Sequence, residues 1–180
     1  MSSAKPRRDG QFRHGSARPT TYGHHRQPKP GEVALGNLAL NSSARLTLAL
    51  MRWHFQTFAN PESHGWLMAM RVAAAHVGPD LAGALCCDVV KLIQSLRGAR
   101  SSAFLFNSEG CACCRIWATA DERRLMECVE AICQGQQGRA RIMAQLLCDG
   151  ACHEGLIAAA QDFATRHLQP RAVAIENTPA

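Results

Sequence analysis

At 180 residues the chain has room for one domain with a sizeable core, and its 47% hydrophobic content is that of a globular protein. The formal net charge of +6 lies in residues 1–30, where seven basic residues stand against Asp9 alone; the other 13 basic and 13 acidic residues cancel. The remainder therefore carries no cluster of Arg and Lys of the recognition-helix kind, and Arg52, Arg71 and Asp88 interrupt the runs that come nearest to the ~18 apolar residues of a membrane span.

Residues 1–30 are rich in Gly, Pro, Ser, Arg and His, with Phe12 and Tyr22 as their large apolar groups. Such a segment cannot bury enough surface to offset its chain entropy, so a disordered basic tail is expected, followed by a single helical domain over 31–170. The charged start, Met1 to Arg8, has no apolar run behind it, so no export signal is expected either.

From Asn41 the pattern becomes helical. Asn41, Ser42 or Ser43 can cap a helix to about Ala59, whose two adjacent apolar stripes (Leu46, Leu50, Trp53; Leu48, Met51, Phe55) imply cover on more than one side. Asn60-Pro61-Glu62 starts a second helix that Gly78-Pro79 stops, and a third runs from Pro79-Asp80 to Gly98. Residues 101–118 lose the helical period; two short extended runs around Gly110 predict a small hairpin or an ordered loop. Thr119-Ala-Asp-Glu122 reads as a capping box for a fourth helix, which Gly135-Gln-Gln-Gly138 breaks. A fifth follows from about Arg139 to Cys148 and a sixth from about Cys152 to Leu168, with Pro170 as its stop and 171–180 frayed. The fold class is all-α: an irregular bundle of about six helices with an extended excursion at 101–118.

The nine cysteines fall into two groups. Cys86, Cys128 and Cys133 recur with Leu, Val and Ile on helix faces, and Cys87 flanks such a face, so these read as packing residues. The odd count forbids full pairing within one chain, which fits reduced thiols and a cytoplasmic protein. Cys111, Cys113 and Cys114 lie instead in the excursion, and Cys148, Cys152 and His153 lie at a helix junction. Cys111 and Cys114 could join Cys148 and Cys152, with His153 as an alternative ligand, in a four-coordinate zinc site. The redox reading centres on Cys113, adjacent to Cys114 and close to Cys111, where an oxidised thiol has neighbours to resolve it.

There is no phosphate-binding loop, dinucleotide fingerprint or His-Glu-x-x-His, and His54, His64 and His76 have no acid at catalytic spacing. The expectation is a non-enzymatic regulatory or adaptor protein that binds a protein partner and responds to metal or redox state through its cysteines. The alternative is a nucleic-acid-associated protein that uses residues 1–30.

Overall fold

The computed structural model describes residues 26–168. Six α-helices make up most of this span: α1 (Ser42–Ala59), α2 (Gly65–Val77), α3 (Pro79–Ala99), α4 (Ala120–Cys133), α5 (Gln137–Leu147) and α6 (Glu154–His167). The expected all-α class is the observed one. The tail over 1–25 and the C-terminal segment from 169 lie outside the described residues.

Each start follows local chemistry. Asn41 accepts the Ala44 amide at 2.8 Å and caps α1. Gly78, at φ +84°, ends α2 and hands the chain to Pro79, the first residue of α3; a residue with a Cβ would be strained at that angle. The second helix differs from expectation. Pro61–Ser63 form a single 3-10 turn, His64 adopts a left-handed conformation (φ 51°), and α2 begins only at Gly65. The break falls where the chain comes closest to α1: Gly65 lies against the Trp53 carbonyl, where a Cβ would clash.

The core is shared by all six helices. Leu50 and Met51 of α1, Leu92 and Ile93 of α3, Leu125 of α4, Leu147 of α5, and Leu156 and Phe163 of α6 are fully buried. Helix α2 packs on α1 and α3, α3 on α6, and α4 on α5 and α6. At the outer end of α6, Asp88 of α3 accepts from Arg166 at 2.9 Å, faces His167 at 2.9 Å and ties the two helices together.

The excursion does not fold back on itself as a hairpin. Its last residues form β2 (Trp117–Ala118), which pairs antiparallel with β1 (Val33–Ala34) from the beginning of the described chain. The order extends back past β1. Arg26 forks onto Glu32 at 2.7 and 3.0 Å and reaches Asn107 at 3.3 Å, so residues 26–30, placed in the tail by composition, are bonded to the domain.

The capping box at α4 is complete. Thr119 Oγ1 accepts the Glu122 amide at 3.1 Å, and Glu122 Oε2 accepts the Thr119 amide at 2.9 Å. The Thr119 hydroxyl also donates to Leu105 O at 2.7 Å, which fastens the excursion to the same helix end. Thr119→Ala is therefore expected to destabilise the protein by about 1–2 kcal/mol in denaturant titration. No change in midpoint would mean that another group serves as cap.

Candidate functional site

The excursion has almost no regular structure, so side chains from elsewhere must hold it. Helix α1 supplies three of them, at Arg52, Trp53 and Gln56. The Arg52 side chain is buried, yet all five of its N–H groups have acceptors. Nε and Nη2 form a fork onto Glu122 (2.8 and 3.0 Å). Nη1 binds Glu109 (3.0 Å) and Arg115 O (2.9 Å), and Nη2 also binds Trp117 O (2.6 Å). The Trp53 ring lies against Gly110 so closely that a Cβ there would sit 3.0 Å from it. Ser108 Oγ donates to Gln56 at 3.0 Å.

A second layer ties in the amino-terminal segment. Asn107 donates its side-chain amide to Trp117 O (3.0 Å) and to Glu32 (3.1 Å), and its backbone amide to Glu122 (3.0 Å). Arg26, held by Glu32, also lies within electrostatic range of the Cys114 thiol. The Arg26 guanidinium and the Lys29 amide hold the Glu32 carboxyl down at about 2.

Between these anchors the chain makes one tight turn. The amides of Cys114 and Arg115 both bond to Cys111 O, at 3.0 and 2.9 Å, and the Trp117 amide bonds to Cys114 O at 3.0 Å. The turn brings three sulfurs together. Cys111 Sγ lies 2.6 Å from Cys114 Sγ and 3.3 Å from Cys113 Sγ, and all three sulfurs are within 4.8 Å of one another. All three residues are half-buried.

The first and last thiols differ in acidity. Once Cys111 is ionised, the neighbouring Cys114 and Cys113 thiols can donate to its sulfur, and this pulls Cys111 down to about 7. Cys114, which gives up its hydrogen bond only as a thiol and is partly desolvated, is pushed up to about 11. The two sulfurs share their protons, so these values belong to the pair.

The structure joins Cys111, Cys113 and Cys114 and leaves the other sequence candidates elsewhere. Cys148 is fully buried in the core, where burial raises its pKa, as it raises that of Cys128 to about 12. Cys152 is exposed, and His153 is the residue before α6, its carbonyl accepting the Ile157 amide. Among the described residues no group of metal-binding side chains includes Cys148, Cys152 or His153. The four-ligand arrangement considered from spacing is thus not assembled; Cys113, read from sequence only as a redox candidate, stands as the third sulfur. Cys86 and Cys128 are core residues as expected, Cys133 is half-buried and Cys87 exposed.

Sequence reasoning passed over Arg52, Glu109 and Arg26. A signal for Arg52 was present, since an arginine inside a helix covered on two sides must find acceptors indoors. Nothing local marks Glu109, whose partner lies 57 positions away, or the reach of Arg26 to Asn107, 81 positions away.

In comparison with known proteins no family model matches the chain, and neither a curated protein nor a solved structure matches it.

Proposed function

We propose that this is a non-enzymatic regulatory or adaptor protein whose switch is the Cys111–Cys114 pair, a dithiol that passes reversibly to a disulfide and changes how a protein partner is held. The observation that carries the reading is the contact itself: Cys111 Sγ lies 2.6 Å from Cys114 Sγ in a half-buried turn, and the contact lowers the first thiol while raising the second. At neutral pH the pair holds a thiolate that can attack, while its second proton stays until it is needed.

The chemistry balances with a disulfide as the oxidant, either a low-molecular-weight one or one on the partner. The Cys111 thiolate attacks one sulfur of that disulfide and expels the other as a thiolate. Cys114 then loses its proton and attacks the Cys111 sulfur, releasing the second thiol. Two electrons have passed from the pair to the oxidant, whose two sulfurs leave as thiols. In a reducing compartment such as the cytoplasm the resting form is the dithiol.

A cleft of about 360 Å³ lies beside the turn. Leu35, Leu48 and Ile116 give it an apolar wall, and Arg45, Glu109 and Arg115 give it charge. Ile116 is exposed, and so is Leu105 on the same excursion.

The reading is tested by labelling the reduced protein with a thiol reagent at a series of pH values, read by peptide mass spectrometry. Cys111 is expected to label first of the nine, with a rate that rises through a midpoint about pH 7. Treatment with oxidised glutathione is expected to link Cys111 to Cys114. Labelling of Cys111 that begins only at the pH of an ordinary thiol, about 8.5, or the absence of that link, overturns the reading.

A further inference from the structure

The redox pair uses two of the three sulfurs, and nothing in that chemistry requires Cys113 to converge on Cys111. Cys113 Sγ nevertheless lies 3.3 Å from Cys111 Sγ, in a turn of four residues that could have directed it to solvent. We infer that Cys111, Cys113 and Cys114 form a binding site for a soft ion that three sulfurs satisfy, monovalent copper or trivalent arsenic, which acts as the signal the turn receives. The inference deepens the proposal above, since it rests on the same turn as the regulatory element, and it does not depend on oxidation of the pair.

The donor set selects the ion. All three donors are thiols, the ligand type that soft ions prefer. Among the described residues no His, Asp or Glu joins the group, and the nearby Glu109 carboxylate is engaged by Arg52 at 3.0 Å. Structural zinc is almost always four-coordinate, so it would have to borrow a ligand from outside the chain. A three-coordinate ion needs none.

The Arg26 guanidinium, fixed by Glu32, lies within electrostatic range of the Cys114 thiol, and as a cation it offsets part of the negative charge that three thiolates leave around a monovalent ion. The turn itself is held by Arg52 rather than by the ion, so the sulfurs are brought together before anything binds.

Binding displaces protons and transfers no electrons. With copper, one Cu⁺ and three thiols give a tris-thiolate complex and three protons. With arsenite, As(OH)₃ and three thiols give three arsenic–sulfur bonds and three waters. Copper loading is thus easier as pH rises, because fewer protons remain to be displaced, whereas the arsenite reaction releases no net proton and lacks that dependence.

The test is anaerobic titration of the full, reduced chain with Cu(I) buffered by a chromophoric chelator, and separately with arsenite, with Zn(II) as the control ion. The expected result is one Cu(I) or one arsenic per chain, held more tightly than zinc. Cys111→Ser, Cys113→Ser and Cys114→Ser are each expected to weaken it about tenfold or more, while Cys152→Ser leaves it unchanged. A circular-dichroism melt of each variant shows that it is folded before its affinity is read. Binding that survives Cys113→Ser, no binding of either ion, or a preference for zinc that requires Cys148 or Cys152 overturns the inference. The Cys113→Ser variant also keeps the two proposals apart. In it the Cys111–Cys114 disulfide is expected to form normally, so the three-sulfur site can fail while the dithiol stands, and the converse is read from the wild-type labelling series.

Discussion

Arg52→Ala is expected to destabilise the protein by about 3–5 kcal/mol, one of the two largest single-residue effects anticipated here. The side chain is buried and its guanidinium makes five hydrogen bonds, three to carboxylate oxygens and two to backbone carbonyls. Truncation to Ala leaves a cavity and strands acceptors that water cannot easily reach. The costliest is Glu122, whose side chain is as buried as that of Arg52 and whose remaining donors are the Thr119 and Asn107 amides. Removing one partner of such a pair costs far more than the pair contributes net, because a buried charge is left uncompensated. A double-mutant cycle gives the mechanism its own readout: Arg52→Met with Glu122→Gln is expected to cost clearly less than the sum of the two single changes. Strict additivity in urea titration would show that Arg52 acts through volume alone.

Gly65→Val is expected to be comparably severe, for a steric reason. A Cβ at this position would lie 2.4 Å from Trp53 O and 2.8 Å from Thr57 Oγ1. The threonine can rotate, but the carbonyl belongs to the backbone of α1 and can move only if α1 and α2 separate. Overpacking typically costs about 1–3 kcal/mol, and a backbone obstacle places the β-branched residue at or above the upper end. Gly65→Ala meets the same obstacle with less bulk. The control is Gly83 within α3, where an added Cβ has nothing within 4 Å; Gly83→Ala is expected to raise the melting temperature, through helix propensity worth about 0.5–1 kcal/mol. If both alanines stabilise, the close approach of α1 and α2 is not a constraint.

What the sequence made legible was whatever depends on neighbours in the chain. Asn41, the Gly78-Pro79 pair and the Thr119–Glu122 box each act over three or four residues, and each helix end they imply is where it was expected. The start of α2 was misplaced because Asn60-Pro61-Glu62 is a sound local start signal, yet it opens only a single 3-10 turn, and α2 begins where Gly65 lies against Trp53. The site was half legible for the same reason. The spacing of Cys111, Cys113 and Cys114 places three thiols within one turn of chain, whereas joining them to Cys148 needs distant elements to converge, and the fold buries Cys148 in the core. Register was equally out of reach: β1 and β2 are two residues each, and Val33 meets Ala118 across 85 positions of chain.

The place of Arg52 also ties the sulfurs to the rest of the molecule by thermodynamic linkage. Its guanidinium holds Arg115 O and Trp117 O, immediately after the last cysteine, and with its other nitrogens holds the carboxylate that caps α4. Any event at the sulfurs that moves those carbonyls is opposed by the geometry at Glu122. Any event that fits the existing turn is added to the free energy that keeps α1 and α4 docked, by RT ln(1 + [L]/Kd) for a bound species. The occupancy of a half-exposed turn and the resistance of a buried core to unfolding are therefore two readings of one equilibrium, and each can be used to measure the other.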